Sequence, residues 1–171
     1  MQNQDTPVIS FIGNSGSGKT TLLEQVVLRL KADGVRVAVI KHSFHGFEMD
    51  HPGRDSWRMT QAGADIVVIS TSVKVAVIET VSEEKSLDEI IGALPRVDLI
   101  LTEGYKREGR PAIEVYRSET GKELLTGAIN RLAIASDVKW DVGVPCYHID
   151  DVDGVVSEVK KYAARAGAVN G

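Results

Sequence analysis

Short apolar runs alternate along this chain with stretches in which apolar residues recur every three or four positions. The first run, Val8–Ile12, predicts a buried strand. It is followed by five apolar residues that share one face of a helix, Leu22, Leu23, Val26, Val27 and Leu30. Strand and helix signals keep alternating, which is typical of an α/β fold with a mostly parallel sheet flanked by helices.

The same pattern predicts the other strands. They are expected at 35–40, 66–70, 75–79, 97–102, 112–116, 132–135 and 144–149. The runs 66–70 and 75–79 are separated by four residues, which indicates a hairpin or two adjacent strands. The run 112–116 is interpreted as an edge strand. We therefore expect some antiparallel edge strands beside the parallel sheet.

Capping signals place the remaining helices. Ser86 and Glu89 form a capping box that opens one helix, and Asp151 is expected to cap the last. A short helix is also predicted at about 55–62. With residues 1–6 and 166–171 frayed at the ends, residues 1–171 are expected to form a single domain.

A glycine-rich loop lies between the first strand and the first helix. Residues Gly13–Thr20 spell G-x-x-x-x-G-K-T, the phosphate loop of nucleoside-triphosphate-binding proteins. The glycines let backbone amides surround the phosphates, Lys19 reaches the β/γ-phosphates, and the Thr20 hydroxyl can ligate Mg²⁺. The fold is therefore predicted to be a P-loop NTPase fold. The residues assigned to the nucleotide are Gly13, Asn14, Ser15, Gly16, Ser17, Gly18, Lys19, Thr20 and Thr21.

An acidic residue is expected near the same phosphates. Ligands of α/β sheets bind at the carboxyl ends of the strands. Asp98 opens the strand 97–102 and lies at the other end, whereas Glu103 closes it. We therefore assign Glu103 and Thr20 to the metal, and Lys19 and Glu103 to catalysis.

The polar loop from Lys41 to Gly53 is long for a connector and is interpreted as a nucleotide-sensing switch or partner surface. Its candidate residues, with those that open the next helix, are Lys41, His42, His45, Asp50, Arg54 and Asp55. The histidines also leave transition-metal binding open. Asp50 and Asp55 are alternative carboxylates for Mg²⁺ or for positioning water.

Recognition of the base is assigned to Asp137. The Asn-Lys-x-Asp signature of many GTP-binding proteins is absent. Asp137 follows the predicted strand 132–135, and its carboxylate can accept hydrogen bonds from guanine N1 and N2. A turn-capping role for Asp137 is the structural alternative.

Composition restricts the class of protein further. The chain has 171 residues, of which 43% are hydrophobic and 26% charged, with a net charge of −4. This charge argues against nonspecific binding to nucleic acid or to anionic membrane. Cys146 is the only cysteine, so no internal disulfide can form and a cytoplasmic location is expected. No apolar run approaches the roughly 18 residues of a membrane span.

Several motifs together resemble the MobB family, whose members are GTP-binding adaptor proteins of molybdopterin-guanine dinucleotide biosynthesis. The resemblance covers most of residues 8–137. It is carried by the phosphate loop and by the segments Val39–His42, His51–Ser56, Ala62–Ala64 and Leu101–Lys106.

The resemblance implies a homodimer with weak GTP hydrolysis, and GTP and Mg²⁺ as ligands. It also implies cooperation with the molybdenum cofactor guanylyltransferase, and with molybdopterin or the acceptor molybdoenzymes as further partners.

Two other functions stay open at this point. A metallochaperone GTPase would use the histidines of the 41–53 loop to deliver a metal to a target enzyme. A P-loop kinase acting on a small molecule would need an arginine-rich lid, for which Arg107 and Arg110 form only a small cluster.

Overall fold

The computed structural model describes residues 3, 5–43 and 51–169. They form two compact units, one built from the chain up to His42 and from Leu94 onward, the other from residues 43–93. Single-domain organisation stays a prediction. Along the described residues the elements are β1 (Val8–Ile12), α1 (Lys19–Ala32), β2 (Val37–Lys41), α2 (Asp55–Gln61), β3 (Ile66–Ser70), β4 (Val75–Glu79), α3 (Leu87–Ala93), β5 (Leu99–Glu103), β6 (Ala112–Tyr116), β7 (Arg131–Ser136), β8 (Cys146–His148) and α4 (Val152–Val169).

The first unit contains a six-stranded sheet in the order β2-β5-β1-β6-β7-β8. Every neighbouring pair in it is parallel, so the carboxyl ends of the strands lie at one edge. This confirms the predicted α/β fold with a mostly parallel sheet. Because β1 lies between β5 and β6, residues that follow these three strands are neighbours in space.

Helices α1 and α4 contact each other and cover one face of this sheet. The apolar face of α1 and inward-facing strand residues such as Phe11 and Leu101 form the core. All five residues of β1 are buried, as are all five of β5. Strands that are buried along their whole length are typical of parallel sheets, and their sequences are nearly continuous apolar runs.

Strand β6, at 112–116, is not the edge strand that was predicted. It lies between β1 and β7, and four of its five residues are buried. The acidic Glu114 in mid-strand is only 1% exposed. Its carboxylate is paired with Arg131 and accepts a hydrogen bond from Leu125 N, so the buried charge is compensated inside the sheet.

Helix α4 continues to Val169, and fraying of the chain ends stays a prediction. At the other end Asn3 is buried, donates to the carbonyls of Leu94 and Pro95, and accepts from Val97 N. These side-chain hydrogen bonds hold the segment before β1 against the chain that leads into β5.

The second unit contains the antiparallel hairpin β3–β4, as predicted, and α2 contacts β3. The capping box before α3 is also present, since Glu89 accepts from Ser86 N at 2.9 Å. The hairpin exposes apolar side chains along its length, with exposed fractions from 43% to 92%: Ile66, Val68, Ile69, Val73, Val75 and Val77.

Candidate functional site

The glycine-rich loop joins the carboxyl end of β1 to the first turn of α1. Gly13, Gly16 and Gly18 all have positive φ, at 146°, 84° and 86°. A Cβ atom on Gly13 would lie 2.2 Å from the carbonyl oxygen of Val115 at the end of β6. The loop therefore needs glycine both for its backbone conformation and for its close approach to the sheet.

Lys19 turns back onto this loop. Its ammonium group donates to the carbonyls of Gly13, at 3.2 Å, and Asn14, at 2.8 Å. Burial lowers the pKa of Lys19, and the charge of Glu103 acts in the opposite direction. The next residue, Thr20, donates from Oγ1 to Glu103 Oε1 at 2.8 Å.

Glu103 is the last residue of β5 and lies opposite Phe11 on one side and Lys41 on the other. Its side chain is 11% exposed, and Lys41 Nζ lies 3.5 Å from Oε1. The structure thus brings together Lys19, Thr20 and Glu103 from the sequence-derived site, with Lys41 from the proposed switch. The Thr20 hydroxyl and the Glu103 carboxylate offer the oxygen ligands that Mg²⁺ prefers.

Basic side chains surround Lys19. The positive charges of Lys106, Lys41 and Lys122 each lower the pKa of Lys19 further, whereas the charge of Glu103 raises it. Arg117 lies beside Gly18 on the β6 side of the loop. A chain with a net charge of −4 therefore has a local concentration of positive charge at its phosphate loop.

Two of these residues, Lys122 and Arg117, were not identified from the sequence. Arg117 follows directly after β6, and the strand-end rule that selected Glu103 would have selected it too. That signal was missed because β6 was placed at an edge instead of beside β1. For Lys122, which lies in the loop between β6 and β7, we find no comparable sequence signal.

The first residues of the proposed switch lie beside Glu103. His42 N donates to Glu103 O at 3.0 Å, and the rings of His42 and Tyr105 have centroids 5.0 Å apart. Tyr105 has a φ of 51°, a backbone conformation that is unfavourable for a bulky residue. The main chain after β2 is therefore connected directly to the strand end that carries Glu103.

The other switch residues belong to the second unit or lie outside the described residues. His45 and Asp50 lie outside the described residues. Arg54 precedes α2, and Asp55 is the first residue of this helix. Asp55 Oδ1 lies 3.8 Å from Arg58 Nη1, and all three residues belong to the second unit. Within residues 3, 5–43 and 51–169, no three His, Cys, Asp or Glu side chains are grouped to hold a metal ion.

Asp137 follows β7 at the same edge of the sheet. Its carboxylate accepts hydrogen bonds from Ser118 N, at 2.9 Å, and Ser118 Oγ, at 2.7 Å. These bonds, with a smaller effect of the Arg117 charge, hold the pKa of Asp137 below its ordinary value. Asp137 therefore caps the turn after β6, and its role in reading guanine stays a prediction.

No helix in the described part of the chain is long and apolar enough to cross a membrane.

The fold and the glycine-rich loop together define the class of protein. A glycine loop joins a central parallel strand to a helix that begins Lys-Thr, and a neighbouring strand ends in an acidic residue that accepts from the threonine. This is the arrangement of a P-loop NTPase fold.

The family described as Molybdopterin guanine dinucleotide synthesis protein B, or MobB, matches residues 8–137, and the chain belongs to this family. It is 34% identical to the molybdopterin-guanine dinucleotide biosynthesis adapter protein of Haemophilus influenzae, over 94% of this chain and 91% of that protein. The adapter protein of Escherichia coli is 33% identical, over 91% of this chain and 93% of the relative.

Solved structures agree with this assignment. A crystal structure of molybdopterin-guanine biosynthesis protein B has a TM-score of 0.74 at 32% identity, covering 92% of this chain and 99% of the other. The crystal structure of Bacillus subtilis MobB has a TM-score of 0.71 at 28% identity, covering 89% and 97%.

Proposed function

We propose that this chain is a GTP-binding adaptor protein with weak GTPase activity, acting in molybdopterin-guanine dinucleotide biosynthesis. The observation that carries the nucleotide assignment is the contact between Thr20 Oγ1 and Glu103 Oε1, 2.8 Å apart, beside Lys19. The pathway assignment rests on membership of the MobB family and on relatives that are named as adapter proteins of this pathway.

The phosphates would lie in the loop Gly13–Thr20, at the N-terminus of α1. Backbone amides and the helix dipole favour an anion there. Lys19 would exchange the carbonyls of Gly13 and Asn14 for the β/γ-phosphates. The basic side chains around it would then compensate the charge of a triphosphate.

Magnesium would be held by the Thr20 hydroxyl and the Glu103 carboxylate. When bound, the ion neutralises charge on the β- and γ-phosphates. Because Glu103 already accepts from Thr20 and lies near Lys41, both contacts would rearrange when Mg²⁺ enters. The main chain of His42 donates to the carbonyl oxygen of this same Glu103, which supports a switch role for the loop that begins at Lys41.

Guanine would be read by Asp137, whose carboxylate accepts hydrogen bonds, because guanine presents the donor pair N1–H and N2–H₂. Asp137 is half-buried after β7, and each of its carboxylate oxygens, which already accept from Ser118, has a further lone pair that could accept from the base. Adenine lacks this donor pair, so the same carboxylate would select against ATP.

The exposed hairpin supports a homodimer. A two-stranded sheet that exposes Val68, Val73 and Val77 is marginal in water without further packing. A second copy would bury these side chains. The partners proposed beyond the dimer are the cytoplasmic molybdenum cofactor guanylyltransferase and, with it, molybdopterin or the acceptor molybdoenzymes.

Calorimetry with GTP and ATP tests the nucleotide assignment. The wild type should prefer GTP, and Lys19→Ala should weaken GTP binding at least tenfold, because a charge-assisted contact is worth about 1.5–3 kcal/mol. Lys31→Ala, at the other end of α1, is the matched control and should bind like the wild type. Unchanged GTP affinity in Lys19→Ala, or equal affinity for ATP and GTP, would contradict the assignment.

The adaptor role is tested with the purified guanylyltransferase. We expect it to bind the GTP-loaded chain more tightly than the GDP-loaded chain, while the isolated chain hydrolyses GTP well below about 10 turnovers per second. His42→Ala should reduce the difference between the two loaded forms more than it reduces GTP affinity. Fast turnover with transfer of phosphate to a small acceptor would instead indicate a kinase.

A further inference from the structure

Arg117 is the first residue after β6 and lies against the phosphate loop. A Cβ atom on Gly18 would lie 3.1 Å from Arg117 Nε and 3.7 Å from Nη2. The guanidinium group therefore lies directly beside the α-carbon of Gly18, which is the N-cap residue of α1. With a Cβ atom at this position, the guanidinium group would have to move away by a few tenths of an ångström.

This is an unfavourable place for a positive charge. The N-terminus of a helix carries a partial positive charge, so a cation beside it is repelled. Across residues 3, 5–43 and 51–169, the Arg117 side chain makes no hydrogen bond and no ion pair. Its charge acts on the Asp137 carboxylate, which already accepts from Ser118 N and Oγ. A bound anion at Gly18 would supply the missing acceptor.

The order of the strands indicates which part of a nucleotide would meet Arg117. On one side of β1, strand β5 ends in Glu103, which contacts Thr20. On the other side, β6 leads to Arg117, and β7 beyond it leads to Asp137. A nucleotide with its metal at Glu103 and its base at Asp137 must therefore cross Arg117 between them. The α-phosphate is the anionic group on that path.

We infer that Arg117 is a nucleotide-binding residue whose guanidinium group binds the α-phosphate. The inference rests on the proposed GTP-binding function and extends it to a residue outside the phosphate-loop motif. Arginine suits this position because its planar fork can donate two parallel hydrogen bonds to a phosphate. The contact is common to GTP and GDP, so it sets nucleotide affinity without distinguishing the two.

The test is titration of Arg117→Ala with GTP, GDP and guanosine. GTP and GDP affinities should fall by the same factor, about ten- to a hundredfold for a charge-assisted pair, with guanosine binding unaffected. Arg117→Lys should recover part of the loss, because it keeps the charge without the fork. Arg29→Ala is the matched control, since Arg29 is an exposed arginine of α1 that pairs with Asp153.

The outcomes separate this inference from the proposed function. If the wild type binds GTP, and Arg117→Ala binds GTP and GDP as tightly as the wild type does, the inference is wrong and the proposed function stands. A loss for GTP only would also overturn it, because the contact would then be to the γ-phosphate. Wild type that binds neither GTP nor GDP would overturn both. A melting temperature of Arg117→Ala close to that of the wild type shows that the variant is folded.

Discussion

Strands β1 and β3 have nearly the same kind of sequence, VISFI and IVVIS, but opposite surroundings. All five residues of β1 are buried, whereas four of the five residues of β3 are exposed. β1 has a parallel neighbour on each side and helices on one face. β3 pairs only with β4 among the described strands. An apolar run therefore indicates a strand, while its burial depends on what the rest of the fold, or a second molecule, places on it.

The two regions use their apolar residues differently. In the first unit, buried strands hold Glu103 and the phosphate loop rigidly at one edge of the sheet, where the chemistry requires fixed distances. In the hairpin, apolar residues face solvent and are available to another chain. Substitutions in the first unit should therefore affect stability and ligand binding together, and substitutions in the hairpin should affect association.

The largest effect is expected from Gly13→Ala. Its Cβ would lie 2.2 Å from Val115 O, so the loop or β6 must move, and we expect a loss of about 2–4 kcal/mol in the free energy of unfolding, with loss of GTP binding. Gly63→Ala, in the second unit, has nothing within 4 Å of its Cβ and a φ of 98°. It should lose only about 1–2 kcal/mol, the cost of the backbone conformation.

Urea denaturation of the ligand-free proteins measures both values. Similar losses of unfolding free energy in Gly13→Ala and Gly63→Ala would contradict the prediction that close packing of the phosphate loop adds to the cost of the backbone conformation.

The next effect concerns the hairpin. Val68 and Val77 are directly opposite in the register, and both are exposed. The double substitution Val68→Glu with Val77→Lys keeps the strands together through a cross-strand ion pair and removes the apolar surface. We expect the dissociation constant of the proposed homodimer to rise at least tenfold, because burial of each valine contributes about 1.5 kcal/mol or more.

Sedimentation velocity over a concentration series measures this change. Leu28→Lys, an exposed apolar residue of α1, is the control and should leave association unchanged. A wild type that sediments as a monomer, or a double variant that dimerises as well as the wild type, would assign the hairpin to a different partner.

The smallest effect is expected from Glu103→Gln when nucleotide binding is measured without metal. The amide keeps the shape and loses the charge, so binding of GTP in the absence of Mg²⁺ should change less than twofold, while GTP hydrolysis at limiting Mg²⁺ should fall by at least tenfold. Rates measured against Mg²⁺ concentration for Glu103→Gln and Asp55→Asn decide between the two carboxylates. If Glu103→Gln depends on Mg²⁺ concentration as the wild type does, another residue binds the metal.

The sequence was most informative where the chemistry is local. The phosphate loop is continuous in the chain, so its conformation could be predicted from glycine spacing alone, and Glu103 followed from its place at a strand end. Strand order is not local, and for that reason β6 was assigned to an edge. Glu114 looks like a solvated residue in the sequence, and only its distant partners Arg131 and Leu125 show how it is accommodated.

The exposure of the apolar hairpin residues could not be predicted from the sequence either. Periodicity distinguishes a strand from a helix but does not show which faces another element covers.

The ammonium group of Lys41 acts as a counterion tethered to the sheet. It lies 3.5 Å from Glu103 Oε1 while remaining 59% exposed, so the carboxylate is compensated before any ligand arrives. A magnesium ion entering the site would displace the Lys41 ammonium group instead of neutralising an unpaired carboxylate. The net free energy gained by binding the ion is therefore smaller. Free magnesium alone should therefore occupy the site poorly. Magnesium carried by a nucleotide brings phosphates that offer Lys41 a new partner, so ion and nucleotide should load, and leave, as one unit.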